Sequence, residues 1–231
     1  MSTDPLPTSV PRVSGSKSSL IALIVVVLGT IAIIGAAIYF TTGGNDSQPA
    51  SSEGLGMEPN LPVENVAKRP ECPAGDDPEA LAAKAELNPE SPLAKVSLPC
   101  LGAPEQGEIN LGEALAGKPA VINVWSWNCA PCREEIPFLQ QWAKDNPDVH
   151  VVGVQAATSE GRGAAFLQEI DTDFVSYQDS LDTVGPALEL PRVVPVTVVV
   201  RPDGTVAKVF PQAFTTVEEF DSAVRGALGD A

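Results

Sequence analysis

The chain has 231 residues, of which 30 are Asp or Glu against 14 Lys or Arg, a formal charge of −16, and 44% are apolar. That length holds one ordinary domain with appendages, and that apolar content excludes a wholly disordered chain. Acid in such excess argues against a grip on nucleic acid, which rests on Lys and Arg contacts to phosphate.

Residues 1–19 carry Asp4, Arg12 and Lys17 and lead into "LIALIVVVLGTIAIIGAAIYF", residues 20–40, which hold no charged side chain. As a helix this run spans about 30 Å, the thickness of a bilayer core. It is longer than the apolar part of a cleaved signal peptide, and no small-residue cleavage site follows it. The reading is therefore a single-pass transmembrane signal-anchor helix. Basic residues before it and Asp46, Glu53 and Glu58 after it place the N-terminus in the cytoplasm and the acidic bulk outside the cell membrane. Disulfides persist on that side.

Residues 41–92 read as an extracytoplasmic linker rich in Pro, Gly and Ser. A short helix is expected over "DPEALAAKAEL", with Asp77 as its cap. Cys72 and Cys100 bracket this stretch. Two readings stand: a structural disulfide closing a loop of about 28 residues, or a second redox couple. A zinc site built from all four cysteines would need a second Cys-x-x-Cys knuckle, and the chain has none.

From residue 93 the pattern is that of one domain, 93–231. "LAKVSL" alternates like a strand, and "GEINLGEAL" reads as a short strand entering a helical turn. "PAVINVWSW" is a nearly unbroken apolar run, as in a strand buried on both faces. "CREEIPFLQQWAKDNP" is a helix kinked or reset by Pro137. "VHVVGVQA" is a second buried strand, "GRGAAFLQEI" a helix, "FVSYQD" a short strand and "SLDTVGPALEL" a helix broken at Gly185–Pro186. "VTVVVRPDGTVAKVF" is a hairpin turning at Pro202, Asp203 and Gly204. An amphipathic helix closes the chain, its capping box formed by Thr216 and Glu219. The class is α/β with a mixed sheet flanked by helices.

The stretch "WSWNCAPCREEIP" puts Cys129 and Cys132 between a buried strand and a helix. Cys129 falls at the first helical turn, where free N–H groups favour a thiolate, and Cys132 lies one turn on, within reach of a mixed disulfide. Pro131 suits the first turn, and Arg133 adds positive charge nearby. A nucleophile, a resolving thiol and a difference in acidity between them make a dithiol redox centre. His150, the only histidine, sits in a strand pattern and reads as structural.

"AVINVWSWNCAPCREEIP", with "LGEALAGKP" before it and "VVPVTVVVRPDG" after it, resembles the membrane-anchored thioredoxin-like proteins of the TlpA/ResA type. The resemblance implies a thioredoxin fold and extracytoplasmic thiol–disulfide exchange, in many members the reduction of apocytochrome c thiols in cytochrome c biogenesis. It makes Cys129 the attacking and Cys132 the resolving cysteine. It makes Pro195 a cis-proline, with Val194 pairing a substrate chain and Trp127 contributing to substrate binding. Asn123 stands where cytoplasmic thioredoxins carry a buried aspartate, and Glu135 is the implied replacement acid. Trp127 lies one place earlier than the family pattern, because Asn128 precedes Cys129. No cofactor is expected beyond the redox-active disulfide, and no metal. Re-reduction implies a transmembrane electron donor of the CcdA or DsbD type. The alternatives are an oxidase or isomerase of secreted proteins using the same residues, and a Sco-like copper module in which His150 completes the ligands.

Overall fold

The computed structural model describes residues 68–229 apart from 77, 85–86 and 157–159. Among these no helix is long and apolar enough to cross a membrane. Residues 20–40, the linker as far as residue 67 and the Asp77 cap lie outside them.

Five strands form the central sheet: β3 (Ala120–Trp125), β4 (His150–Gln155), β5 (Ser176–Gln178), β6 (Val196–Val200) and β7 (Val206–Phe210), in the order β5-β4-β3-β6-β7. β4 runs parallel to β3 and β5, while β6 is antiparallel to both β3 and β7. A separate antiparallel pair is made by β1 (Ser97–Pro99) and β2 (Glu108–Asn110). All of β3 is buried, which is why its sequence is a continuous apolar run.

Alternation along β3 sends its side chains into two cores. Ala120, Ile122 and Val124 join Leu98, Ile109, Leu111 and Leu115 on one face. Val121 and Trp125 join Cys132, Ile136, Leu139 and Trp142 on the other. The latter four come from α3 (Ala130–Asp145), whose apolar residues recur at helical spacing. The same face receives α6 (Val217–Leu228) through Phe220 and Val224, and α4 (Glu160–Glu169) through Ala164, Phe166 and Leu167. The Trp125 indole fits because residue 153 has no side chain: a Cβ there would lie 2.6 Å from Nε1 and 2.3 Å from Ser176 Oγ.

Several elements differ from the sequence pattern. Leu93 does not open a strand. Ser91 accepts the Leu93 N–H and Pro92 starts a 3-10 turn, Pro92–Lys95, so only Ser97–Pro99 is extended. α3 carries Pro137 inside it and runs on to Asp145, as its pattern predicts. Pro186 does not break a helix. It lies in the first turn of the one-turn α5 (Val184–Ala187), where no intrahelical donor is needed, and Asp179 caps that turn through the Thr183 and Val184 N–H groups. At α6, Thr216 accepts the Glu219 N–H as expected, but Glu219 reaches back to the Thr215 N–H rather than to Thr216. The 206–210 hairpin turns at Gly204, at φ 79°. The remaining short helices are α1 (Pro78–Ala83) and α2 (Leu111–Ala114).

The segment from Lys68 onward is packed on the sheet. Arg69 and Cys72 are buried, and the Tyr177 hydroxyl donates to Pro73 O at 2.6 Å. Gln106 grips Cys72 from both sides, accepting its N–H and donating to its carbonyl. The Cys72–Cys100 disulfide, with Cα atoms 5.6 Å apart, ties this segment to the edge beside β5, where Cys100 bridges Tyr177.

Candidate active site

β3 ends at Trp125 and α3 begins at Ala130, so the turn between them carries the dithiol motif. Cys129 is the N-cap of α3: its backbone is extended and its Sγ accepts the Cys132 N–H at 3.2 Å. Cys129 and Cys132 are disulfide-bonded, with Cα atoms 5.3 Å apart. Cys129 is 8% exposed and Cys132 is 0% exposed, so of the two cysteines only the first meets solvent. Pro131 occupies the first turn, where the missing N–H has no intrahelical partner to lose.

One turn beyond Cys132 on the same face of α3 is Glu135, also 0% exposed. Its Oε1 accepts the Phe214 N–H at 2.9 Å and its Oε2 accepts from Asn123 Nδ2 at 3.1 Å. Burial raises its pKa above the ordinary carboxylate value, and the two donated hydrogen bonds oppose that rise only in part. Asn123 also donates to Thr197 Oγ1 at 3.2 Å, because β3 and β6 pair Asn123 with Thr197. Asn123 Oδ1 is buried without a partner. Turned about its amide, Asn123 would offer that oxygen to a protonated Glu135, so one side chain serves both charge states of the acid. Asn123 and Thr197 are the polar residues inside two otherwise apolar strands, and that is the sequence signal for this buried network.

Trp127 is half-buried beside the disulfide cluster, with the Arg162 guanidinium 4.7 Å from its ring centroid. Asn128 folds back, accepting from the Ser126 hydroxyl at 2.7 Å. Arg133 is directed away from the role its position suggests. Its guanidinium forks onto Glu169 at 3.1 and 3.2 Å and covers the Phe166 ring at 4.9 Å, so its charge is already paired. The cation against the motif is Arg162, which the spacing of the sequence did not reveal.

The Val194–Pro195 peptide bond is cis. Val194 precedes the β3–β6 ladder, which begins at Val196, and it packs against both core clusters, including the one that holds Cys129 and Cys132. The Cys72–Cys100 disulfide stands apart, with its cysteines 5% and 0% exposed in the apolar core opposite the α3 face. His150 opens β4 opposite Ala120, five register positions from the Trp125–Gln155 pair that borders the motif. At the rise of a strand that is about 16 Å, too far for a shared ligand sphere with Cys129 and Cys132.

Known proteins resemble this chain in sequence and fold. The soluble secreted antigen MPT53 of Mycobacterium tuberculosis is 33% identical over 94 residues, 41% of this chain and 54% of that protein. The thiol-disulfide oxidoreductase ResA of Oceanobacillus iheyensis is 26% identical over 113 residues, 48% of this chain and 58% of that protein. The chain thus spans about half the length of the curated relatives it matches. The crystal structure of a secreted Mycobacterium tuberculosis disulfide oxidoreductase homologous to E. coli DsbE aligns with a TM-score of 0.51 at 27% identity, covering 59% of this chain and 98% of that one. The fold is thioredoxin-like, a central mixed sheet flanked by helices. Residues 90–209, just over half of the 231, match the AhpC/TSA family, and the chain belongs to that family.

Proposed function

We propose that this chain is a membrane-tethered, extracytoplasmic thiol–disulfide oxidoreductase that reduces protein disulfides through Cys129 and Cys132. The observation that carries the reading is the stacking of three groups along α3: Cys129 at the helix start, buried Cys132 behind it and buried Glu135 one turn deeper. The Cys129 thiolate attacks one sulfur of a substrate disulfide, that bond breaks, and the departing substrate thiolate takes up a proton. Glu135 takes the Cys132 proton, and the Cys132 thiolate attacks Cys129 Sγ. Closure of Cys129–Cys132 expels the second substrate sulfur as a thiolate, to which Glu135 returns the proton. Two electrons and one proton pass from the chain to the substrate, the first departing thiolate taking its proton from water, and a membrane dithiol carrier of the CcdA or DsbD type re-reduces the Cys129–Cys132 disulfide.

Val194, beside the cis bond, gives the substrate main chain an edge to pair with, and Trp127 borders the reacting sulfur. The tether rests on residues 20–40, and apocytochrome c thiols are the substrate class implied by the resemblance to the TlpA/ResA type. Support for the reducing direction comes from the small size of the helices that follow α3, ten residues in α4 and four in α5, against the helical insertion of DsbA-like oxidases.

The test is a trapping experiment with a peptide that contains an internal disulfide. Full-length C132A is expected to hold the peptide as an adduct on Cys129, and the wild-type chain to release it as a dithiol. C129A should do neither. An adduct on Cys132 instead, or none on either cysteine, would overturn the reading.

A further inference from the structure

A groove of about 750 Å³ opens at the end of β3 that leads into the dithiol motif, within the ~300–1,000 Å³ range of ligand sites. Its floor is apolar, made by Val124 and Val196 at the ends of β3 and β6 and by Val194. Val194 belongs both to this floor and to the residues packed against the cluster that includes Cys129 and Cys132, and Val124 lies five residues before Cys129, so the groove is at the end of the sheet that carries the dithiol. Val193, one of the few exposed large apolar side chains among the described residues, lines it at 52% exposure, and another, Leu181 at 85%, stands between the lining residues Ser180 and Asp182 in sequence. Both remain in water unless something covers them.

The rim is acidic. Asp182 and Glu189 are exposed on it, each with its backbone at φ 53°, a left-handed conformation that a non-glycine residue rarely holds. Asp179 adds a third carboxylate, turned inward to cap α5, and Arg192 is the single cation of the lining. The whole chain carries −16, which deepens the negative field at the groove mouth.

We infer that this groove receives an extended segment of the substrate polypeptide next to its reactive cysteine, and that it selects a segment with an apolar residue flanked by Lys or Arg. The inference rests on the oxidoreductase reading above. The apolar side chain lies over Val124, Val194 and Val196, the basic side chains meet Asp182 and Glu189, and the segment's main chain runs past Val194 toward Cys129.

The test uses the reduced full-length chain and three disulfides: glutathione disulfide, and two glutathione-capped cysteine peptides that differ only in a Leu-Lys-Lys or a Leu-Glu-Glu flank. At low salt the basic peptide is expected to be reduced about five- to tenfold faster than the acidic one, the scale of two exposed ion pairs. That ratio should shrink at high salt, and collapse in D182N/E189Q. It should survive in E108Q/E218Q, which removes the same charge from β2 and α6. Equal rates for the two peptides, or a preference that D182N/E189Q keeps, would overturn the groove assignment while exchange with glutathione disulfide leaves the redox reading standing. No exchange with any of the three would overturn both.

Discussion

Asn123 Nδ2 lies 3.1 Å from Glu135 Oε2, and both side chains are wholly buried on the α3 side of β3. A strand residue thus holds the acid that a helix residue supplies. The carboxylate sits in an apolar setting, a single turn from a buried sulfur that must lose a proton for exchange to finish.

The first consequence is a pH dependence that E135Q removes. With its general base gone, the resolving step of E135Q should slow by about 10²-fold. The wild-type rate should climb as pH rises through the elevated Glu135 range, and the variant should lack that inflection. Stopped-flow tryptophan emission from pH 4 to 9 reads both. Stability has the opposite sign. The folded-state pKa is raised above the ordinary 4.5, so the contribution of this group is fully present below that value and is lost as pH climbs through the folded pKa. E135Q should therefore gain stability relative to wild type between pH 4.5 and neutrality. A constant difference across that window would contradict the assignment.

N123D places a second carboxylate against Glu135. Two buried like charges cannot both ionise cheaply, so denaturant unfolding should show a loss of roughly 1–3 kcal/mol at neutral pH that shrinks in acid. The double variant N123D/E135Q keeps one carboxylate in the same pocket. It should recover part of the exchange rate lost by E135Q alone, and a strictly additive cycle would sink the idea of a shared role.

The Cys72–Cys100 disulfide, buried and 28 residues apart, is expected to act on stability alone. C72A/C100A should lower the unfolding free energy by about 3–4 kcal/mol on the chain-entropy estimate, with peptide exchange at Cys129 retained. If exchange stopped while the variant remained folded, Cys72 and Cys100 would be an electron relay instead.

Gly153 is where a β-strand gives up a side chain so that the Trp125 indole can lie across it. G153A drives a methyl group into Trp125 Nε1 and Ser176 Oγ, which are 3.3 Å apart and hydrogen-bonded. Overpacking of this kind costs about 1–3 kcal/mol. Thermal unfolding should show that loss, together with a shift in tryptophan emission, and an unchanged melting curve would contradict the packing described.

Much of this architecture was legible in the chain. β3 was plain because burial on both faces leaves an unbroken apolar run, and the dithiol was plain because strand, motif and helix are contiguous. Local competition hid other parts. Leu93 and Val96 suit a strand pattern, but the Ser91 side chain and Pro92 favour a tight turn at that point. Pro186 reads as a breaker only if the helix is assumed to start several residues earlier, whereas the Asp179 side chain, accepting the Thr183 and Val184 N–H groups, fixes the start at Val184 and leaves Pro186 in the first turn. Arg133 does not serve the motif as its position suggests, because Glu169 and Phe166 capture it, and Arg162 lies against Trp127 instead. The groove was invisible, since its walls come from β3, β6 and the loops around α5, which meet only in the folded chain.

The most direct test of the central claim is the reduction potential of Cys129–Cys132 in the full-length chain. Equilibration in a thiol buffer followed by tryptophan emission reads it, because Trp125 and Trp127 pack with the cluster that holds both sulfurs. A value near or below about −230 mV, toward the thioredoxin end of the known range, is the result expected of a reductase. A value near about −120 mV, that of strong dithiol oxidants, would contradict it and make the chain a donor of disulfides to secreted proteins.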